Sequence, residues 1–257
     1  VTTEKKEHTY ALIIGNEDYK SHQKDLTSEV NVDYAEADAT MFKEYLQRTL
    51  GVPEKNIQLL VNATSGAINQ GIARLNALSM VEGGDAEVIF YYAGHGLPDE
   101  NTKEPHIIPV DVSGTNLQYA IQLNEIYKKL TEHPAKRVIV FMDACFSGGA
   151  RNQGLITMRG VKVKPKKAPM QGKLLIISSS SGEESSGAYK EKQHGMFTYY
   201  LLKKLKETKG DLTYKELADF VTENVKRQSV LVNNKLQTPQ VLGSDPVKYT
   251  WQEWKVK

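Results

Sequence analysis

The sequence has little of what marks specialised architectures. It holds a single cysteine, Cys145, so no intrachain disulfide can staple it. No run approaches the roughly 18–20 apolar residues needed to cross a bilayer. Charge of one sign is not in real excess. Lys and Arg number 33 against 31 Asp and Glu, a net of +2, which is not the surplus of a general nucleic-acid binder. Internal repeats and low-complexity tracts are absent. The start, Val1 to Lys6, is polar, has no initiator methionine and lacks an apolar signal core. It reads as the start of a processed product or of an expressed fragment.

What is present fits a globular chain. Hydrophobic residues make up 40% and charged residues 25% of 257 positions, close to the average of folded domains and unlike collagen-like, disordered or disulfide-built classes. At about 150 residues per domain, one large domain or two small ones are allowed. Short branched apolar runs at 10–14, 57–61, 87–92, 138–142 and 174–178 predict buried parallel strands. Between them, helical spacing predicts helices over 38–50, 67–80, 123–130, 197–205 and 214–225. Strand and helix alternate, so the fold class is α/β, with helices on both faces of a sheet. One stretch breaks the pattern. From Ala144 to Gly182 there is no acidic residue, but there are seven positive ones. With Pro165 and Pro169, residues 151–172 predict an exposed basic linker inside one domain.

Two of the apolar strands run into reactive residues. The first continues through Ala93 and Gly94 to His95 and Gly96, the second through Asp143 and Ala144 to Cys145. Ligands of parallel α/β sheets gather beyond the carboxyl ends of strands. A thiol needs a base to become a good nucleophile, and imidazole titrates in the useful range. The pair therefore points to nucleophilic catalysis. His8, His22, His106, His133 and His194 lack this setting. A zinc site finds no second cysteine and no paired-histidine spacing. Asp99, Glu100, Glu104 and Asp111 do not follow the spacing of a calcium-binding EF-hand loop. No metal or other cofactor is expected.

The segments Tyr91-Tyr92-Ala93-Gly94-His95-Gly96 and Asp143-Ala144-Cys145-Phe146-Ser147-Gly148 resemble the histidine and cysteine boxes of the caspase-like cysteine peptidases, in particular the bacterial and metacaspase-like branch. His95 and Cys145 stand fifty residues apart, which is the caspase spacing. The run from Ala11 to Asn16, the Ala37-Asp38-Ala39 triplet and the segments 178–185 and 194–198 are similar to further family elements. The likeness spans about residues 9–242.

This resemblance implies a three-layer sandwich with a six-stranded, mainly parallel sheet. It implies one peptidase domain over 1–257, with a large-subunit-like part at 8–150 and a small-subunit-like part at 173–257. Cys145 becomes the nucleophile and His95 the acid/base, with the N–H groups of Gly96 and Cys145 as oxyanion hole. Asp143 stands where aspartate-specific caspases carry glutamine, Val32 where they carry an arginine. Asp38 falls where metacaspase-like enzymes place a second pocket acid. Two carboxylates repel an acidic side chain and attract a basic one, so the expected substrates are proteins or peptides with Arg or Lys before the cut bond. Ser185, Ser186 and Gly187 are expected to pair with substrate main chain as an added strand. Self-cleavage is expected in the basic linker, at Arg159, Lys162, Lys164, Lys166 or Lys167. Neither a nucleic-acid nor a membrane partner is expected. The location reads as soluble, in the bacterial cytoplasm or exported after loss of a leader. An inactive caspase-like binding domain and a thiol hydrolase of small amides are the rival readings.

Overall fold

The computed structural model describes residues 5–23, 29–146, 170–181 and 184–257. Residues 151–169 of the basic linker, with all five expected self-cleavage positions, lie outside the described residues. The strands are β1 (Thr9–Gly15), β2 (Ile57–Val61), β3 (Glu87–Ala93), β4 (Gly96–Pro98), β5 (Pro105–Ile107), β6 (Ile121–Gln122), β7 (Arg137–Asp143), β8 (Leu174–Ser178), β9 (Ala188–Tyr189), β10 (His194–Gly195) and β11 (Gln240–Gly243). The helices are α1 (Ala35–Arg48), α2 (Ser65–Glu82), α3 (Leu123–Leu130), α4 (Met196–Thr208) and α5 (Tyr214–Asn233).

Six strands form the main sheet in the order β11-β8-β7-β3-β1-β2. All its pairings are parallel except that of β11 with β8. Side chains of a strand alternate between faces, and here both faces are covered. Ala11, Ile13, Ile89, Tyr91, Ile139, Phe141, Leu175 and Ile177 share one core with residues of α1, α4 and α5. Leu12, Ile14, Val88, Phe90, Val140, Met142, Leu174 and Ile176 share the other with residues of α2 and α3. This double burial explains why β1, β3 and β7 are apolar along most of their length rather than alternating. The result is a helix–sheet–helix sandwich, the architecture implied by the resemblance.

The five strands read from sequence are all present, two of them with the expected bounds and three extended by one or two residues. The sixth strand implied by the resemblance is β11, whose place the apolar pattern did not mark. It lies at the sheet edge and is short and only half covered. Two differences at helix ends have local causes. Helix α1 starts at Ala35 rather than 38, because Tyr34 takes a left-handed conformation (φ 69°) as N-cap without a side-chain cap. Asp38 therefore sits inside the helix and does not cap it. Helix α5 begins at the expected residue, where Thr213 and Glu216 form a reciprocal capping box. It runs on to Asn233, past the expected end at 225, through the exposed residues Val230, Leu231 and Val232 that carry no core periodicity.

The carboxyl end of β1 is packed hard against α1. A Cβ built on Gly15 would lie 2.4 Å from the Ala35 carbonyl oxygen and 2.7 Å from Ala39 Cβ. Backbone cannot yield as a flexible side chain can, so overpacking here is costly. Gly15→Ala is expected to destabilise the fold by about 1–3 kcal/mol, read as a lowered urea midpoint at unchanged slope. An unchanged midpoint would contradict this packing.

Candidate active site

The parallel pairing of β3 with β7 runs in register from Glu87 opposite Arg137 to Ala93 opposite Asp143. The register offset is fifty residues throughout, the same as the spacing of His95 and Cys145. Each of the two lies two residues beyond the last pair. The strands stay together past it: Gly94 N–H donates to the Asp143 carbonyl at 3.4 Å. A Cβ on Gly96 would meet the Cys145 carbonyl at 2.9 Å and the Phe146 ring at 2.4 Å. The space beside Gly96 is thus taken by protein. The glycine allows the two strand ends to approach.

His95 is held from several sides. Its Nε2 lies 2.5 Å from the Val30 carbonyl oxygen. A carbonyl only accepts, so Nε2 carries the proton and Nδ1 is left as the basic nitrogen of the neutral ring. The imidazole packs on the Tyr19 ring with centroids 4.5 Å apart. The His95 N–H donates to the Tyr19 hydroxyl at 3.0 Å, and the Tyr92 hydroxyl donates to the His95 carbonyl at 2.7 Å. Burial pushes both tyrosines above their ordinary pKa, so they stay neutral hydroxyls over the working range of an imidazole. Val30, Tyr19 and Tyr92 are functional neighbours that sequence reasoning missed. A backbone carbonyl leaves no mark in a sequence.

Cys145 follows β7 and is 4% exposed. Its sulfur faces Ser186 across the site, receiving the Ser186 N–H at 2.6 Å and lying 3.6 Å from the Ser186 carbonyl oxygen. A backbone N–H aimed at sulfur favours the thiolate. The Ser186 hydroxyl donates to Asp143 Oδ1 at 2.7 Å. Asp143 Oδ2 accepts from Thr198 Oγ1 at 2.7 Å, and Thr198 is itself bonded to the Tyr91 hydroxyl at 2.7 Å. Hydroxyl donors orient a carboxylate without neutralising it. Asp38 reaches the same region from α1. Its Oδ1 meets His194 Nδ1 at 2.7 Å and its Oδ2 accepts from the Gly195 N–H at 2.9 Å. The stretch from His194 to Thr198 thereby bridges both acids, and His194, passed over in the sequence, gains a role. Both carboxylates are fully buried.

Of the expected substrate strand, Ser185 is half-buried and Ser186 buried. Gly187 turns inward: its N–H donates to Gln237 Oε1 at 2.8 Å and its carbonyl accepts from the Met196 N–H at 2.9 Å. A Cβ there would lie 2.3 Å from Asn233 Nδ2. Gln237 also donates to the Ser179 carbonyl at 2.9 Å and reaches the Ser186 hydroxyl at 3.4 Å. Nothing in the sequence marked Gln237, yet it ties the end of β8 to the segment facing the thiol. Asp99 accepts from the Asn101 and Thr102 N–H groups in the β4–β5 turn, and Asp111 accepts from the Ser65 N–H. No helix among the described residues is long and apolar enough to cross a membrane.

A layered sandwich with a cysteine and a histidine at neighbouring strand ends defines the class of caspase-fold proteins. The caspase domain pattern matches residues 8–250, so the chain belongs to the caspase family of cysteine peptidase domains. It is similar to a probable protease from a Desulfuromonadales bacterium, 27% identical over 237 residues that cover 79% of this chain and 28% of the relative. The chain thus spans little more than a quarter of that protein. A crystal structure of a Geobacter sulfurreducens protein shares the fold, with a TM-score of 0.67 at 19% identity over 96% of this chain and 98% of that one.

Gln237→Ala removes the partner of the Gly187 N–H and of the Ser179 carbonyl in a buried place. It is expected to lower stability by about 1–3 kcal/mol, measured by chemical denaturation. Hydrogen exchange should rise locally at Gly187 and Ser186. Exchange unchanged in that segment would show that Gln237 does not hold it.

Proposed function

We propose that this chain is a cysteine endopeptidase that uses Cys145 and His95 and cuts after Arg or Lys. The observation that carries the reading is the β3–β7 register, which brings the two reactive residues to adjacent strand ends. His95 is oriented there by the Val30 carbonyl. Nδ1 of His95 accepts the thiol proton, and the thiolate attacks the scissile carbonyl. The N–H groups of Gly96 and Cys145 receive the developing oxyanion. Each such donor contributes about 2.7–4 kcal/mol to an acyl-transfer transition state. The imidazolium then protonates the leaving amine, and water, deprotonated by the same ring, releases the acyl group. Asp143 and Asp38 accept the basic side chain before the cut bond. An ion pair at 4 Å contributes about 4 kcal/mol at an effective dielectric of 20, before desolvation. Ser185 and Ser186 guide substrate main chain. Gly187, its polar groups engaged inside the protein, supports them.

The same reading treats 1–257 as one peptidase domain whose large-subunit-like part, 8–150, and small-subunit-like part, 173–257, are joined by the basic linker. Arg159, Lys162, Lys164, Lys166 and Lys167 offer side chains that the acidic pocket accepts, which makes the linker a substrate of its own site.

Three outcomes are expected. Cys145→Ala and His95→Ala each abolish cleavage of arginyl peptides while the circular dichroism spectrum is kept. A Cys145→Ala protein with full activity would refute the nucleophile, and hydrolysis of small amides without peptide cleavage would favour the thiol-hydrolase alternative. Asp143→Asn weakens use of arginyl substrates by about 1.5–3 kcal/mol, the range for a hydrogen bond to a charged group. Efficient turnover of aspartyl peptides by the wild type would contradict the pocket. Intact-mass spectrometry after incubation shows clipping within 151–172 in the wild type and none in Cys145→Ala. Clipping in both would point to a contaminating protease.

A further inference from the structure

The chemistry above uses only the carboxyl ends of the strands. At the opposite end, where β1, β3 and β7 begin, the surface holds a cleft of about 850 Å³. Six of its lining residues are cations: Lys5, Lys6, Lys136, Arg137, Lys255 and Lys257. Three are acids, Glu7, Asp85 and Glu87. The six come from three stretches of the chain, before β1, at the start of β7 and after α5. The concentration is therefore a product of folding and not a charge run in the sequence.

The acids do not balance it. Glu87, at the floor, is shared between Arg137 Nη2 at 2.8 Å and Lys6 Nζ at 3.3 Å. Glu7 and Asp85 are exposed. Burial lowers the Lys6 pKa, Glu87 works against that, and the charges of Arg137 and Lys136 lower it further. Cations crowd one another here.

Arg137 is the fixed element. It is only 8% exposed, and its guanidinium lies over the rings of Tyr214, at 5.3 Å, and Trp254, at 5.9 Å. Its Nε–H is buried with no partner. Native structures leave few buried donors unmatched. Guanidinium presents planar, paired donors that match phosphate oxygens, and lysines add mobile point charges around them.

We propose that this cleft binds a compact anion carrying two or more phosphate groups. Several dispersed cations match several charges on one small molecule, where a single monoanion would leave most of them unanswered. A seven-residue strand spans roughly 20 Å, so the ligand lies well away from Cys145 and does not compete with a peptide. The inference stands whether or not the chain is a peptidase.

Both tryptophans of the chain, Trp251 and Trp254, are in the same short segment, and Trp254 lines the cleft, so intrinsic fluorescence reports on it. The test titrates inorganic tripolyphosphate into the 257-residue chain at low ionic strength without divalent cations, followed by tryptophan fluorescence and calorimetry. The expected result is saturable 1:1 binding that weakens as salt is added. Replacing two exposed cleft residues, Lys136→Gln with Lys255→Gln, should weaken it about tenfold or more, the equivalent of 1.4 kcal/mol. The pair Lys190→Gln with Lys192→Gln, which removes the same charge from the β9–β10 connection beside His194 at the opposite end of the sheet, should change it less than about twofold. All four lysines are exposed, so neither variant disturbs the core. Non-saturable binding, or equal weakening by both variants, overturns the proposal. So does a preference for a single-stranded oligonucleotide over tripolyphosphate, which would reveal a surface for an extended backbone.

Discussion

Everything at the site depends on the parallel ladder between β3 and β7. Seven consecutive pairs at one constant offset convert a spacing along the chain into a meeting in space. A slip of one residue would turn every side chain of a strand to the other face, exchanging the two cores and moving His95 away from Cys145. Register is therefore defended by packing on both sides. Ile89, Tyr91, Ile139 and Phe141 are committed to the face of α1, α4 and α5, and Val88, Phe90, Val138 and Val140 to the face of α2 and α3. Each fully buried aliphatic or aromatic side chain contributes about 1.5–3 kcal/mol, so a slipped ladder has no comparable alternative core.

On this rigid base the reactive residues are trimmed by groups from remote parts of the chain. Val30 fixes the tautomer of His95. Ser186 joins the sulfur of Cys145 to the carboxylate of Asp143 through its own N–H and hydroxyl. The start of α4 connects Asp143 to Asp38. Cys145, Asp143 and Asp38 thus belong to one hydrogen-bonded assembly built from the carboxyl end of β7, the first turns of two helices and the loop after β8, while His95, at the neighbouring end of β3, is held by Val30, Tyr19 and Tyr92. The amino ends of the same strands carry the opposite character, with Glu87 and Arg137 opening β3 and β7 beneath the basic cleft.

Much of this was legible in the sequence, and the rest was hidden for identifiable reasons. β1, β3, β7 and β8 stood out because burial on both faces makes them nearly unbroken apolar runs, as did β2, a partly buried edge strand that keeps four apolar residues of five. β11 did not, because at an edge Gln240 and Leu242 face outward and only four residues pair. The start of α1 was obscured because Tyr34 ends the preceding loop in a left-handed turn without the usual side-chain cap. His95 and Cys145 announced themselves by motif. Val30 and Gln237 could not, since one acts through a carbonyl and the other through contacts fifty or more residues away. The acids Asp38 and Asp143 were visible as residue types, but their hydroxyl and histidine partners emerge only when α4 docks against α1.

The central claim is that His95 and Cys145 work as a pair. Its most direct test is the pH dependence of Cys145 alkylation by iodoacetamide, compared between the wild type and His95→Ala. No other thiol exists in the chain to confuse the signal. An imidazole partner favours the thiolate, so the wild-type rate should reach half its maximum well below the ordinary thiol value of about 8.5. The variant's profile should move up toward it. Coincident profiles for the two proteins would contradict the pairing.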